Sequence, residues 1–123
     1  MPLITRAFPL HRPVEELHAF AAALCGERSP DTTQFYRRYG VSHESWHVQE
    51  TPTGPWVIAV TVIDNPEEAA PRYASASEEF HAWFKSQVLY LSGVDPNATP
   101  LGPPTTQVFA WSDSERPQST LYS

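Results

Sequence analysis

Hydrophobic positions change their period several times along this chain, and each change marks an element. Trp56 to Ile63 is almost wholly apolar and rich in Val and Ile, which predicts a buried strand. The turn signal Pro52-Thr53-Gly54-Pro55 precedes it. Before that turn, Val41 to Thr51 alternates polar and apolar residues and predicts the other arm of a hairpin. Leu3 to Phe8 reads as a first short strand, and Thr106 to Trp111 as a last one. Helical spacing appears at Val14, Leu17, Phe20, Ala21 and Leu24, with Pro13 suited to the first helical position and Gly26 to the C-terminal cap. A second helix starts at Asp31, carries Phe35, Tyr36 and Tyr39, and ends at Gly40. Pro66 to Tyr73 predicts a third helix that Pro71 breaks or kinks. Ser75 or Ser77 caps a fourth, with Glu78 placed for a capping box on Ser75; its stripe is Phe80, Trp83, Phe84, Val88 and Leu91, and Gly93 ends it. The segment from Ser92 to Pro104 is a long Pro/Gly-rich connection.

The order β-α-α-β-β-α-α-β predicts an α+β fold. It is a ferredoxin-like β-α-β-β-α-β frame with each helical crossover split, built on a four-stranded antiparallel sheet. Residues 1–111 form one domain, and 112–123 a polar C-terminal tail that frays. In that frame the helices cover one face of the sheet. In the third strand Trp56, Ile58, Val60 and Val62 point one way, and Val57, Ala59, Thr61 and Ile63 the other. Both sets are largely apolar, whereas a half-exposed antiparallel strand normally alternates. The face away from the helices therefore needs cover. A two-fold homodimer through that open face is the simplest source; the tail or the 92–104 connection is the alternative.

Composition adds exclusions. With 123 residues, four Trp, five Tyr and six Phe, the chain has material for one real core. A net charge of −6 with only eight Lys and Arg lacks the basic patch that phosphate backbones require, so no nucleic-acid partner is expected. No segment has the run of about 20 apolar residues that a membrane helix needs, and Met1 to Leu10 lacks a signal-peptide pattern, so no membrane partner is expected and the setting is cytoplasmic. The single cysteine, Cys25, excludes an internal disulfide and Cys-rich metal sites. Asn97-Ala98-Thr99 matches a glycosylation sequon by chance.

The stretch Asp64-Asn65-Pro66-Glu67-Glu68-Ala69, followed by Ser77-Glu78-Glu79-Phe80-His81-Ala82-Trp83-Phe84, resembles the third-strand-to-helix segment of dimeric α+β-barrel proteins, most closely the antibiotic biosynthesis monooxygenase type. The resemblance covers about a quarter of the chain and agrees with its element order. It implies a dimer with a small ligand site between helices and sheet. Such families include cofactor-independent quinone-forming monooxygenases, haem-degrading enzymes and proteins with no known activity. The chain departs from the haem-degrading pattern, since Arg72 and Tyr73 stand where a His would ligate iron. Asn65, Trp46 and Arg72 are the residue types of an Asn-Trp-Arg set found in some monooxygenases, but their spacing does not identify them.

Candidate chemistry is sparse. Arg6 shares a strand face with Ile4 and Phe8, where a charge is costly unless it is paired or lines a wet pocket. It reads either as a binder of an anion or carbonyl, or as half of a structural ion pair. His43 and His47 are four apart in a strand, about 13 Å along it, so they cannot share one metal ion and no metal is expected. Each has the side chain for general acid–base work, or simply belongs to the polar face of an edge strand. Trp46, Tyr73 and Trp83 are candidate pocket walls for a flat ligand, or else core. His81 lies beside the helix stripe and reads as surface, and Cys25 as a small buried residue. No Ser-His-Asp arrangement or phosphate loop is present. The sequence thus supports a ligand-binding dimer without cofactor, with a cofactor-independent monooxygenase acting on a small aromatic phenol or quinol as one alternative and a structural dimer without a pocket as another. In the monooxygenase reading His47 or His43 is the base, and Arg6 or Tyr73 the donor.

Overall fold

A computed structural model describes residues 3–75, 78–95, 105–113 and 115–119. The fold is α+β: a three-stranded antiparallel sheet with four helices, followed by a separate two-stranded hairpin. The strands are β1 (Leu3–Pro9), β2 (Val41–Thr51) and β3 (Gly54–Ile63), in the order β1-β3-β2. The apolar strand is central, as its composition requires. Helices α1 (Val14–Cys25) and α2 (Ser29–Arg38) connect β1 to β2; α3 (Pro66–Ser75) and α4 (Glu79–Ser92) follow β3.

Register assigns every strand residue to a face. Arg6 pairs with Ala59 and Ala59 with Trp46; Ile4 pairs with Thr61 and Thr61 with Glu44; Phe8 pairs with Val57 and Val57 with Val48. Cross-strand partners point the same way. All sheet residues in the core (Ile4, Phe8, Val41, Trp46, Val57, Ile63) share this parity. They pack with Leu17, Phe20 and Leu24 of α1, Phe35 of α2, Ala69 of α3, and Phe80, Phe84 and Leu91 of α4. The helices therefore cover one face only. On the other lie Leu3, Thr5 and Ala7 of β1, Trp56, Ile58, Val60 and Val62 of β3, and His43, Ser45, His47 and Gln49 of β2.

Phe35 is the hub of the core, with rings of Tyr36, Tyr39, Tyr73, Phe80, His81 and Phe84 around it. Gly93 closes α4 at φ 75°, and a Cβ there would lie 2.7 Å from His11 Nδ1, so only glycine lets the helix end meet the chain after β1. There the His11 amide donates to the Leu91 carbonyl at 2.8 Å.

Several expectations change. The last strand, β4 (Phe109–Ser112), does not join the main sheet among the described residues; it pairs with β5 (Glu115–Ser119). Thr105 reaches the free edge of β1, its amide and hydroxyl donating to the Thr5 carbonyl at 2.9 and 2.7 Å. Part of the stretch expected to fray is thus a strand. Helix α3 continues through Pro71 to Ser75. Helix α4 begins at Glu79 with no side-chain cap; Ser75 belongs to α3, and Ser77 lies outside the described residues. Cys25 is exposed, because α1 ends there and turns away from the core. His81 is buried at 5% exposure, because Phe35 and Tyr39 of the preceding helical pair close over it. The sequon and most of the 92–104 connection lie outside the described residues. Among the described residues, no helix is long and apolar enough to cross a membrane.

Candidate functional site

Charge is distributed unexpectedly over the sheet. Arg6 and Glu44 lie on the face that meets the helices, in adjacent cross-strand rows. Glu44 is held at both oxygens: Thr61 Oγ1 donates to Oε1 at 2.6 Å, and Trp46 Nε1 donates to Oε2 at 2.7 Å. Burial raises its carboxyl above the usual range, opposed by those two donors and by the nearby charges of Arg6 and His43. Tyr36 and Tyr73 are driven strongly upward, first by burial, so both phenols are neutral donors at physiological pH. The Glu44 charge also acts on Tyr36.

Arg6 does not have the structural ion pair that its place among apolar neighbours invites. Among the described residues it forms no salt bridge, and its Nε is buried without a hydrogen-bond partner. Ala59, small and central, separates it from Trp46. The arrangement offers a cation, a carboxylate able to take a proton, and two phenols on one side of the sheet. Such a set can bind an acidic or hydroxylated ligand and move a proton at Glu44.

The aromatic candidates are joined by core rings. Trp46 stacks on Phe20 at 5.5 Å, and Trp83 meets the same ring edge-on at 5.3 Å. Trp83 also carries the Arg28 guanidinium 4.5 Å above its ring. Tyr73 packs on Phe35 at 5.9 Å and Phe84 at 6.4 Å, with Lys85 Nζ 5.1 Å over its ring. Arg6, Trp46, Tyr73 and Trp83 thus all belong to the helix side.

His43 and His47 do not. Parity turns them to the opposite face, beside Val62 and Ile58, so the sheet separates them from Arg6 and Tyr73. Both Nε2 atoms meet Ser45 Oγ, at 3.1 and 3.0 Å. The pairing of a histidine base with an Arg6 or Tyr73 donor is not assembled. Glu44, Thr61 and Tyr36 take the places sequence reading left empty. Glu44 was legible as the residue two before Trp46, sharing its face. Asn65 caps α3, accepting from the Glu68 amide at 3.1 Å, and Arg72 faces Glu68 at 3.8 Å, so neither joins Trp46 in a set.

A second polar cluster lies where α2, α3 and α4 meet. His81 and Lys85 are buried, and burial lowers both their pKa values. His81 Nδ1 is 3.5 Å from Glu78 Oε2, and among the described residues neither ring nitrogen has a hydrogen-bond partner. Glu78 itself pairs with Arg38 at 2.9 Å. Among the described residues, no group of three His, Cys, Asp or Glu could hold a metal ion.

No family model, curated protein or solved structure matches this chain. The functional reading therefore rests on the chain's own geometry.

Proposed function

We propose that this protein binds a small, flat, acidic or phenolic ligand between its helices and the sheet, with Arg6 meeting the ligand's anionic oxygen and Glu44 accepting its proton. The observation that carries this reading is Arg6: a guanidinium turned toward the helices, its Nε buried, with no ion pair among the described residues. A structural arginine in such a place is normally paired, because an unpaired charge among apolar neighbours is costly. Trp46 and Tyr73 supply flat walls, and Trp83 supports Phe20 behind them. Ligand-observed NMR with hydroxybenzoates and hydroxynaphthoates tests it. Binding that weakens at least about tenfold in Arg6→Met is expected; equal binding by both forms, or no binding across the panel, removes the reading.

A catalytic version follows from Glu44. A phenol or quinol that gives up its proton becomes the electron-rich anion that cofactor-independent oxygenation needs, in line with the resemblance to monooxygenases of the dimeric α+β-barrel type. The base is then Glu44 in place of a histidine. Oxygen consumption that disappears in Glu44→Gln supports this version, and none with any bound phenol rejects it.

The assembly we propose is a ferredoxin-like homodimer through the open face of the sheet. Among the described residues of β1, β2 and β3, no Asp, Glu, Lys or Arg shares the parity of that face. A face of three strands, the longest eleven residues, offers roughly 600 Å² per copy, at the lower bound of stable interfaces.

A further inference from the structure

The open face is uncharged, yet it is not free of ionisable groups. His43 and His47 stand on it in one row with Ser45 and Gln49, beside the apolar row Trp56, Ile58, Val60 and Val62. Both imidazoles converge through Nε2 on the single hydroxyl of Ser45. That hydroxyl has one proton to give and lone pairs to receive. It can donate to one neutral imidazole while the other donates to it, so the whole row is satisfied without charge. When both rings are protonated, both must donate to Ser45. Two positive charges then share one oxygen, and the Ser45 proton has to find another acceptor.

We propose that this His43–Ser45–His47 row is the pH-sensitive contact strip of the interface between two copies, holding them together when neutral and separating them when protonated. The inference rests on the homodimer reading above. The occupant is a second copy because the face is complementary to itself. The outer strands differ in character: β2 presents the polar row His43, Ser45, His47 and Gln49, while β1 presents Leu3, Thr5 and Ala7. A two-fold axis running along β3 lays the His43–Ser45–His47 row of each copy over the Leu3–Thr5–Ala7 row of the other, and apolar β3 over β3. In that arrangement His43 meets Leu3 and His47 meets Ala7, and both imidazoles leave water. No carboxylate from β1 or β3 faces them; Glu44, their neighbour in β2, points to the helix side, as does the parity of Glu50 at the strand's end. A protonated imidazole placed there loses its water, with the pull of Glu44 on His43 from the other side of the sheet set against that cost, and imidazole is the side chain that ordinarily changes charge between pH 5 and 8.

Sedimentation equilibrium at pH 7.5 and pH 5.5, with circular dichroism confirming that the chain stays folded, tests the proposal. Wild type is expected to pair at pH 7.5, with a dissociation constant about tenfold or more higher at pH 5.5. The double variant His43→Gln/His47→Gln is expected to pair equally at both values. Because these side chains are exposed in the single chain, the variant retains its fold. A wild-type dimer indifferent to pH, or a double variant with the wild-type response, overturns the switch and leaves the dimer standing. A monomer at pH 7.5 overturns both.

Discussion

The two faces of the three-stranded sheet are built by opposite rules. The face that meets the helices carries Arg6 and Glu44 among the core residues Phe8, Val57 and Ile63. The face that meets no helix contains four large apolar residues on β3 and no formal charge. In a chain whose only apolar contacts were its own, burial would favour the reverse, since charges lose solvation inside and apolar groups gain nothing outside. The difference is what the two proposals rest on: a ligand would account for the inner charges, and a second copy for the outer apolar row.

The largest expected effect breaks the comparison on the inner side. Phe35 is 6% exposed and touches six other rings. Phe35→Ala is expected to lower stability by about 3–5 kcal/mol in urea unfolding, independently of protein concentration. On the outer side, Ile58 sits between Ala7 and His47 in the middle of the open face. Ile58→Lys is expected to leave the single chain folded and raise the dissociation constant of the pair about a hundredfold or more, read by sedimentation, because an unpaired ammonium would be buried between the sheets. If both substitutions act alike, by unfolding or by dissociation, the two-rule description of the sheet fails.

Much of this contrast is legible in the sequence, and the illegible part has physical causes. Parity within Trp56–Ile63 shows two apolar faces without any structure, because the period of a strand is fixed. The hairpin of β2 and β3 is equally legible from its turn residues. Glu44 shares a parity with Trp46, but a lone Glu in an alternating strand also reads as a solvent position; what holds it on the inner face is the pair of donors from Trp46 and Thr61. His81 was misplaced for the same reason, since the rings that bury it come from α2. The β4–β5 pairing escaped because Glu115–Ser119 is polar and contains a proline, neither a strand signal. Helix α3 persists past Pro71, so the local rule of helix breaking does not decide there.

Acid is expected to act on both sides of the sheet, and the two effects separate by concentration. Burial holds the His81 pKa below its ordinary value, so the folded chain binds that proton less readily than the unfolded chain. Its contribution is complete above the ordinary imidazole value of about 6.5 and is lost as pH falls from there toward the folded value. His81→Phe removes this titration together with two buried nitrogens that have no hydrogen bond. The variant is expected to lose less stability between pH 7 and 5 than wild type, at every protein concentration. A concentration-dependent change would assign the acid response to the open face instead.

The smallest effect is expected at Glu44, and it runs the other way. Its carboxyl is raised by burial, so the folded chain takes up that proton more readily than the unfolded one. Stability from this group is therefore greatest below the ordinary Glu value of about 4.3 and declines as pH rises through the higher folded value. In Glu44→Gln the amide oxygen can still accept from Trp46 Nε1, and the rotating Thr61 hydroxyl can accept from the amide nitrogen, so both contacts survive in neutral form. The variant is expected to match wild type at pH 4 and to show a flatter decline toward pH 7 in thermal unfolding. A wild-type slope in the variant would mean that Glu44 titrates as an exposed carboxylate. The flatter slope, joined to loss of phenol binding or turnover in the same protein, would mean that the inner face sacrifices stability at neutral pH to keep a proton acceptor beside Arg6.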